Sequence, residues 1–393
     1  MKRLWELDAA RGLMLLLMTV THLPTRLTTP LGQPFGFVSA AEGFVLLSAY
    51  MCGIVYGRKA WREGVPAMRR AFFQRALKVY LCQAALLLFL FTVIAAMGHY
   101  IDAPAVRNLI SFYLHSPVPA LIASLALIYQ PALLDILPLY VLFMLASPWA
   151  LGFAMRHGWA GVLAGSAGLW LAAQLGLSTT LYGVVVALTG LKVPFADMGA
   201  FNTFAWQLVW TLGLWLGARQ SEPHAQPLHI PKPWVLLAVV VAVVGMVWRH
   251  YTGQAPFGSN NAGNMLFDKW TLAPGRLIDM LALLVVSMEF GPRLLAALPR
   301  MRWLEELGSQ SLPVFCTHLL AVLLVLALVG DDPLRHAWWI DALLLAGTFA
   351  LLQGAARLSA LFDHLQTRRR ARRKSAQAGA AALSAPKKTP ARP

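Results

Sequence analysis

Asp8-Ala-Ala-Arg11-Gly-Leu-Met-Leu-Leu-Leu-Met-Thr-Val-Thr-His22 is the stretch that decides the fold. Nearly every residue between Arg11 and His22 is apolar, so the segment suits a lipid environment, yet it carries ionisable side chains. In a helix, eleven steps of about 100° make roughly three turns, which puts Arg11 and His22 on one face, about 16 Å apart along the axis. Asp8 lies one turn before Arg11 and is expected to reach it. Ionisable groups inside a lipid-spanning helix are costly and are expected to face protein or water in a functional role. Each alone also has a plainer reading: Arg11 as an anchor snorkelling to the head groups, His22 as a buried hydrogen-bonding group.

The membrane reading extends to the whole chain. Of 393 residues, 58% are hydrophobic and 13% charged, whereas a soluble domain is about a quarter charged. The apolar runs are continuous, unlike the alternating strands of a membrane β-barrel. About ten runs qualify as candidate spans: 7–23, 37–56, 79–97, 133–153, 159–177, 204–216, 235–248, 272–290, 312–330 and 338–361. Two stretches stay open: 118–129 is apolar but short, and 180–191 either extends the fifth span or folds back. The expectation is an all-α integral membrane protein, with about ten transmembrane helices in one bundle over residues 1–362. Residues 363–393 form a basic tail with no apolar face, expected to lack regular structure. The first run has no small-residue cleavage site and carries Arg11, so it is expected to be retained as a span.

The net charge of +16 raises the question of nucleic acid, and its distribution answers it. With the N-terminus inside, Arg58, Lys59, Arg62, Arg69, Arg70, Arg75 and Lys78 share the first inner loop. Arg156, Arg219, Lys232, Arg293, Arg300 and Arg302 follow on the same side, then the run Arg368–Lys374, Lys387, Lys388 and Arg392. The opposite side holds only Arg26, Arg107, Lys192, Arg249, Lys269 and Arg335. This bias places both termini in the cytoplasm and leaves anionic membrane lipid, not nucleic acid, as the natural partner of the surplus charge. Cys52, Cys82 and Cys316 are scattered through apolar runs, which supports neither a disulfide framework nor a metal site.

Several side chains are candidates for chemistry. His22 suits proton transfer near neutral pH, and Arg11 suits holding a phosphate, a carboxylate or a developing oxyanion. Glu42 begins the next span, at the depth of His22, and is expected to orient it; an exposed interfacial carboxylate is the alternative. Ser48 reads better as a packing serine than as a nucleophile, since no Gly-x-Ser-x-Gly turn surrounds it. Arg75, at the start of the third span, is the loop cation best placed to face a pocket for coenzyme phosphates. Asp135, ahead of Pro138 and Tyr140, either binds a polar acceptor or caps a helix. Asn202, Trp206 and Gln207 suggest either a carbohydrate platform or an interfacial aromatic belt. Arg276 and Asp279, three apart, are expected to pair with each other. His318, alone in an apolar run, reads as structural.

In order along the chain, these pieces resemble the membrane acyltransferase family 3. The resemblance lies in Asp8-x-x-Arg11 with His22, in Phe44-Val-Leu-Leu-Ser48-Ala49, and in Leu307-Gly308 through Ser311, Phe315 and His318. The Ala-Ala-Glu42-Gly-Phe44, Asp135-Ile-Leu-Pro-Leu-Tyr140 and Asn202-x-x-Ala-Trp206-Gln207 stretches are similar to its OpgC branch, which is linked to succinylation of periplasmic glucans. Ala49 and Phe315 depart from that pattern, where glycine and tyrosine are usual. The resemblance implies transfer of an acyl group from cytoplasmic acyl-CoA, succinyl-CoA by analogy, to a periplasmic oligosaccharide or glucan acceptor across the bacterial inner membrane. It implies His22 as catalytic base and Arg11 as its companion. Together with the reading of the residues above, Glu42 is expected to join them in catalysis, and Asp8, Arg75, Ser48, Asp135, Tyr140, Trp206, Gln207, Arg276 and His318 are expected to bind substrate. A transporter or flippase using buried ionisable residues is the alternative class, but no paired-half symmetry is visible.

Overall fold

The computed structural model describes residues 5–384 apart from 102, 224, 225 and 227, with side chains as far as 369. Every regular element among the described residues is helical. The first half holds α1 (Trp5–His22), α2 (Ala40–Glu63), α3 (Val65–Tyr100), α4 (Ile136–His157), α5 (Ala160–Gln174) and α6 (Leu177–Thr189). The second half holds α7 (Thr203–Ser221), α8 (Lys232–Thr252), α9 (Pro274–Ala297), α10 (Arg302–Ser309), α11 (Ser311–Leu328) and α12 (Trp338–Ser384).

Each apolar run read from the sequence centres on one of these helices. Among the described residues, 7 helices are long and apolar enough to cross a bilayer: α2, α3, α4, α8, α9, α11 and α12. The count reaches 8 if α5 and α6 are one broken span. α1 and α7, of 18 and 19 residues, are as long but less apolar, since α1 carries Glu6, Asp8 and Arg11, and α7 carries Gln207, Arg219 and Gln220. The stretch 180–191 does change direction, because α6 leaves α5 at 73°. The stretch 118–129 forms a short helix, Pro117–Leu125, and a turn.

Two close helix crossings build the frame. α2 meets α7 where Gly53 and Gly57 face Gly213 and Gly217, and a Cβ on Gly53 would lie 2.6 Å from the Ala218 nitrogen. Small residues four apart let two backbones touch, which suits membrane helices because lipid offers no hydrophobic drive between them. The second crossing sets the site. Gly308 of α10 lies against the Asp8 carbonyl, and Gly12 of α1 lies against the Leu304 carbonyl. A side chain at either position would push the helices apart. The contact pins the Arg11 turn of α1 to the junction between α10 and α11, and α11 then runs parallel to α1.

The last helix differs from the expected tail: α12 continues past residue 361 to Ser384. Ala, Arg, Gln and Lys are strong helix formers, and the next proline is Pro386. Lys387, Lys388 and Arg392 lie outside the described residues.

Candidate functional site

α1 presents Arg11 and His22 to the same neighbour. Arg11 Nη2 donates to the Ser311 hydroxyl at the start of α11, and its guanidinium lies 4.0 Å from Asp8. Two turns further along α11, His318 meets His22: Nδ1 of His22 and Nε2 of His318 are 3.0 Å apart. The rings stack with centroids 5.1 Å apart and planes within 16°. One nitrogen of the two must carry the proton that bridges them. His318 is fully buried, so it is neither alone nor merely packed; it is the side chain that fixes the His22 ring.

Cavities open at both ends of this pair. A cavity of about 200 Å³ is walled by apolar side chains of α2, α3, α4 and α11, and among the described residues Arg11 and Arg75 are its charged lining residues. Ser48 and Tyr140 also face it. The Tyr140 hydroxyl donates to the Phe44 carbonyl at 3.1 Å, which holds the ring in place. At its Arg11 end this cavity shares Arg11, Arg75, Ser311 and Leu312 with a second, wider one that adds Lys78, His364 and one carboxylate, Asp363. Phe315 also lines it, and the Phe315 ring meets His318 with centroids 5.5 Å apart. Beyond the histidines, His22 lines a third cavity of about 620 Å³ together with Thr21, Thr25, Thr28, Thr29 and Arg26. A basic pocket, a largely apolar cavity, a histidine pair and a hydroxyl-lined pocket are thus set along α1 and α11.

The chain matches the family model described as OpgC protein over residues 3–364. This chain belongs to the OpgC family. No curated protein and no solved structure matches it. Within this OpgC-family chain, the apolar helices and the family together make a multi-pass membrane protein.

Other expected site residues of the OpgC-family chain sit elsewhere than foreseen. Among the described residues, Glu42 makes no hydrogen bond to His22. It closes a capping box at the start of α2, accepting from the Ser39 amide at 3.1 Å and the Ser39 hydroxyl at 2.5 Å. Its other oxygen is ion-paired with Arg276, and both side chains are sealed from solvent. Arg276 therefore does not pair with Asp279, which accepts instead from the Phe37 amide at 2.7 Å. The reason is tertiary: α9 packs so that Arg276 faces the capped end of α2 and Asp279 faces the loop before it.

Asp135 is buried and accepts from the Ala200 amide at 3.1 Å, so it neither lies open to an acceptor nor caps α4. Its backbone is already helical, with φ −81° and ψ −18°, rather than in the extended conformation usual for a capping residue. Asn202 is the cap of α7. Trp206 is fully buried, so it serves neither as a carbohydrate platform nor as an interfacial belt. Its indole donates to the carbonyls of Lys269 and Trp270, at 3.2 Å each. Gln207 ties α7 to α5, donating to the Ser166 carbonyl at 2.8 Å and accepting from its hydroxyl at 2.7 Å.

Lys269 escaped the sequence reading, which counted it only as a loop charge. Its side chain is partly buried and within electrostatic reach of His22, Glu42, Arg276 and Asp135. Burial holds its ammonium below the ordinary lysine range, while Glu42 and Asp135 pull the other way. The only sequence signal was a single cation in a loop otherwise rich in apolar and aromatic residues.

Proposed function

We propose that this OpgC-family chain is a transmembrane O-acyltransferase that moves an acyl group, succinyl in the OpgC reading, from cytoplasmic acyl-CoA to a hydroxyl of a periplasmic glucan. One observation carries the reading: α1 holds Arg11 and His22 against Ser311 and His318 of α11, with a basic pocket at one end and a hydroxyl-lined pocket at the other. The charge bias of the loops supports a cytoplasmic Arg11 end, a periplasmic His22 end and cytoplasmic termini in the inner membrane. Ten crossings follow if α1, α7 and the bent α5–α6 pair each cross once with the seven apolar helices.

In this reading Arg11, Arg75 and Lys78 hold the phosphates of the donor at the inner surface, where charge-assisted contacts are strongest. The acyl thioester extends through the apolar passage past Phe315. The acceptor hydroxyl enters among Thr21, Thr25, Thr28 and Thr29. His22 takes its proton while the hydroxyl oxygen attacks the thioester carbonyl. Collapse of the intermediate forms the oxygen ester and breaks the carbon–sulfur bond, and the proton held by His22 passes to the leaving sulfur, releasing coenzyme A thiol. His318 fixes the tautomer and orientation of His22, as a second group commonly does for a catalytic histidine. Glu42 and Arg276 hold the start of α2 rather than reacting.

The test is vectorial. Purified protein in proteoliposomes receives labelled succinyl-CoA on the side of the Arg58–Lys78 loop and a glucose oligosaccharide on the other. The reading expects labelled oligosaccharide in that arrangement and none with donor and acceptor exchanged. Oligosaccharide transport without acylation would favour a transporter instead.

A further inference from the structure

The loop that carries Lys269 is tied down carbonyl by carbonyl. Trp206 donates to the carbonyls of residues 269 and 270, and the Asn202 amide adds a bond to the latter at 2.9 Å. Gln174 donates to the Thr271 carbonyl at 2.8 Å, and Trp170 to the Leu272 carbonyl at 3.0 Å. Inside the loop, Asp268 accepts from the amide and hydroxyl of Thr271, at 2.8 and 2.7 Å. Leu272 is buried with φ at +47°, a conformation that bulky side chains avoid and that persists only where its surroundings over-determine it. Four consecutive peptide carbonyls of this loop are thus held from α5 and α7.

What the constraint presents is one ammonium. Lys269 Nζ stands 4.7 Å from the ring centre of Trp270 and 5.6 Å from that of Phe201. Among the described residues it has no hydrogen-bonded or ion-paired partner, although Glu42, Asp135 and His22 are all within electrostatic reach. An exposed surface lysine needs no such scaffold. A donor with three protons, flanked by the partly exposed ring of Trp270, has the chemistry of a carbohydrate subsite: a cation for hydroxyl oxygens and an aromatic face for a sugar ring.

We infer that the loop 269–272 is an acceptor subsite, in which Lys269 donates to hydroxyl oxygens of a glucan residue that packs on Trp270 beside His22. This deepens the acyl-transfer reading and rests on it for the identity of the acceptor. Trp206, Trp170 and Gln174 are then positioning residues that set the loop and do not touch the sugar.

Binding and transfer are measured separately, so that the two claims can fail separately. Isothermal titration of a glucose oligosaccharide into detergent-purified protein compares wild type, Lys269→Met, Lys269→Arg and His22→Ala. A charge-assisted contact of ordinary strength predicts about a ten- to hundredfold weaker dissociation constant for Lys269→Met. Lys269→Arg is expected to recover most of the loss, and His22→Ala to abolish transfer. Wild-type affinity in Lys269→Met overturns the subsite, as does a wild type that binds no oligosaccharide. Equal loss in the Met and Arg variants with lowered thermal midpoints also overturns it, in favour of a structural lysine. Wild-type transfer by His22→Ala would instead sink the base assignment and leave the subsite standing.

Discussion

Glu42→Gln tests whether Glu42 holds the bundle together or serves His22. The substitution keeps the size of the side chain and its capping contact with Ser39, but removes the charge opposite Arg276. In the wild type both partners are almost wholly sealed, at 0% and 1% side-chain exposure. Arg276 Nη2 already lacks a hydrogen-bond partner among the described residues, so the Glu42 contact carries most of its compensation. Breaking a buried pair by removing one partner costs about 3–5 kcal/mol, because the remaining charge stays uncompensated. Removing both charges, as in Glu42→Gln with Arg276→Met, is expected to recover much of that loss, since buried pairs are often replaceable by apolar groups of similar volume. The assay is reversible denaturant unfolding in mild detergent followed by helical circular dichroism, run as a double-mutant cycle with acyl transfer measured in parallel. A Glu42→Gln protein of wild-type stability that has lost transfer would refute the structural assignment and return Glu42 to the side of His22.

Further predictions follow from the same geometry. His318→Ala removes the group 3.0 Å from His22 and is expected to cut kcat for acyl transfer on the order of a hundredfold with the donor KM little changed; steady-state kinetics in nanodiscs decide it. Arg75→Met should raise the donor KM on the order of tenfold with a smaller effect on kcat, and an unchanged KM would remove Arg75 from the donor pocket. Gly308→Ala forces a methyl group against the Asp8 carbonyl and is expected to cost about 1–3 kcal/mol; an unchanged thermal midpoint would contradict the close crossing of α1 and α10. Trp206→Phe removes the two indole bonds to the loop and should weaken oligosaccharide binding in the same direction as Lys269→Met, but by less.

Much of the helix order was legible because a bilayer admits few ways to satisfy a backbone, and continuous apolar runs select one of them. The shared face of Arg11 and His22 was also legible, since it depends only on the 3.6-residue period of one helix. Partners across the bundle were not. Glu42 and Arg276 are 234 positions apart, and no local pattern fixes the register of α9 against α2. Arg276 and Asp279 looked like a pair because spacing along one helix is all that a sequence displays. Trp206 at the start of a span has the composition of a membrane belt, and only the fold of residues 266–273 over it makes it a buried clamp. His318 needed α11 to run parallel to α1 before its meaning changed from a packed histidine to the partner of His22.

The most direct measurement of the central claim is the acyl content of periplasmic glucan, by mass spectrometry, in cells lacking this protein and in cells supplied with wild type or His22→Ala at matched abundance. Wild type is expected to restore ester-linked acyl groups, and His22→Ala to leave the glucan as bare as in the cells without the protein. Full acylation by the His22→Ala protein would contradict the account.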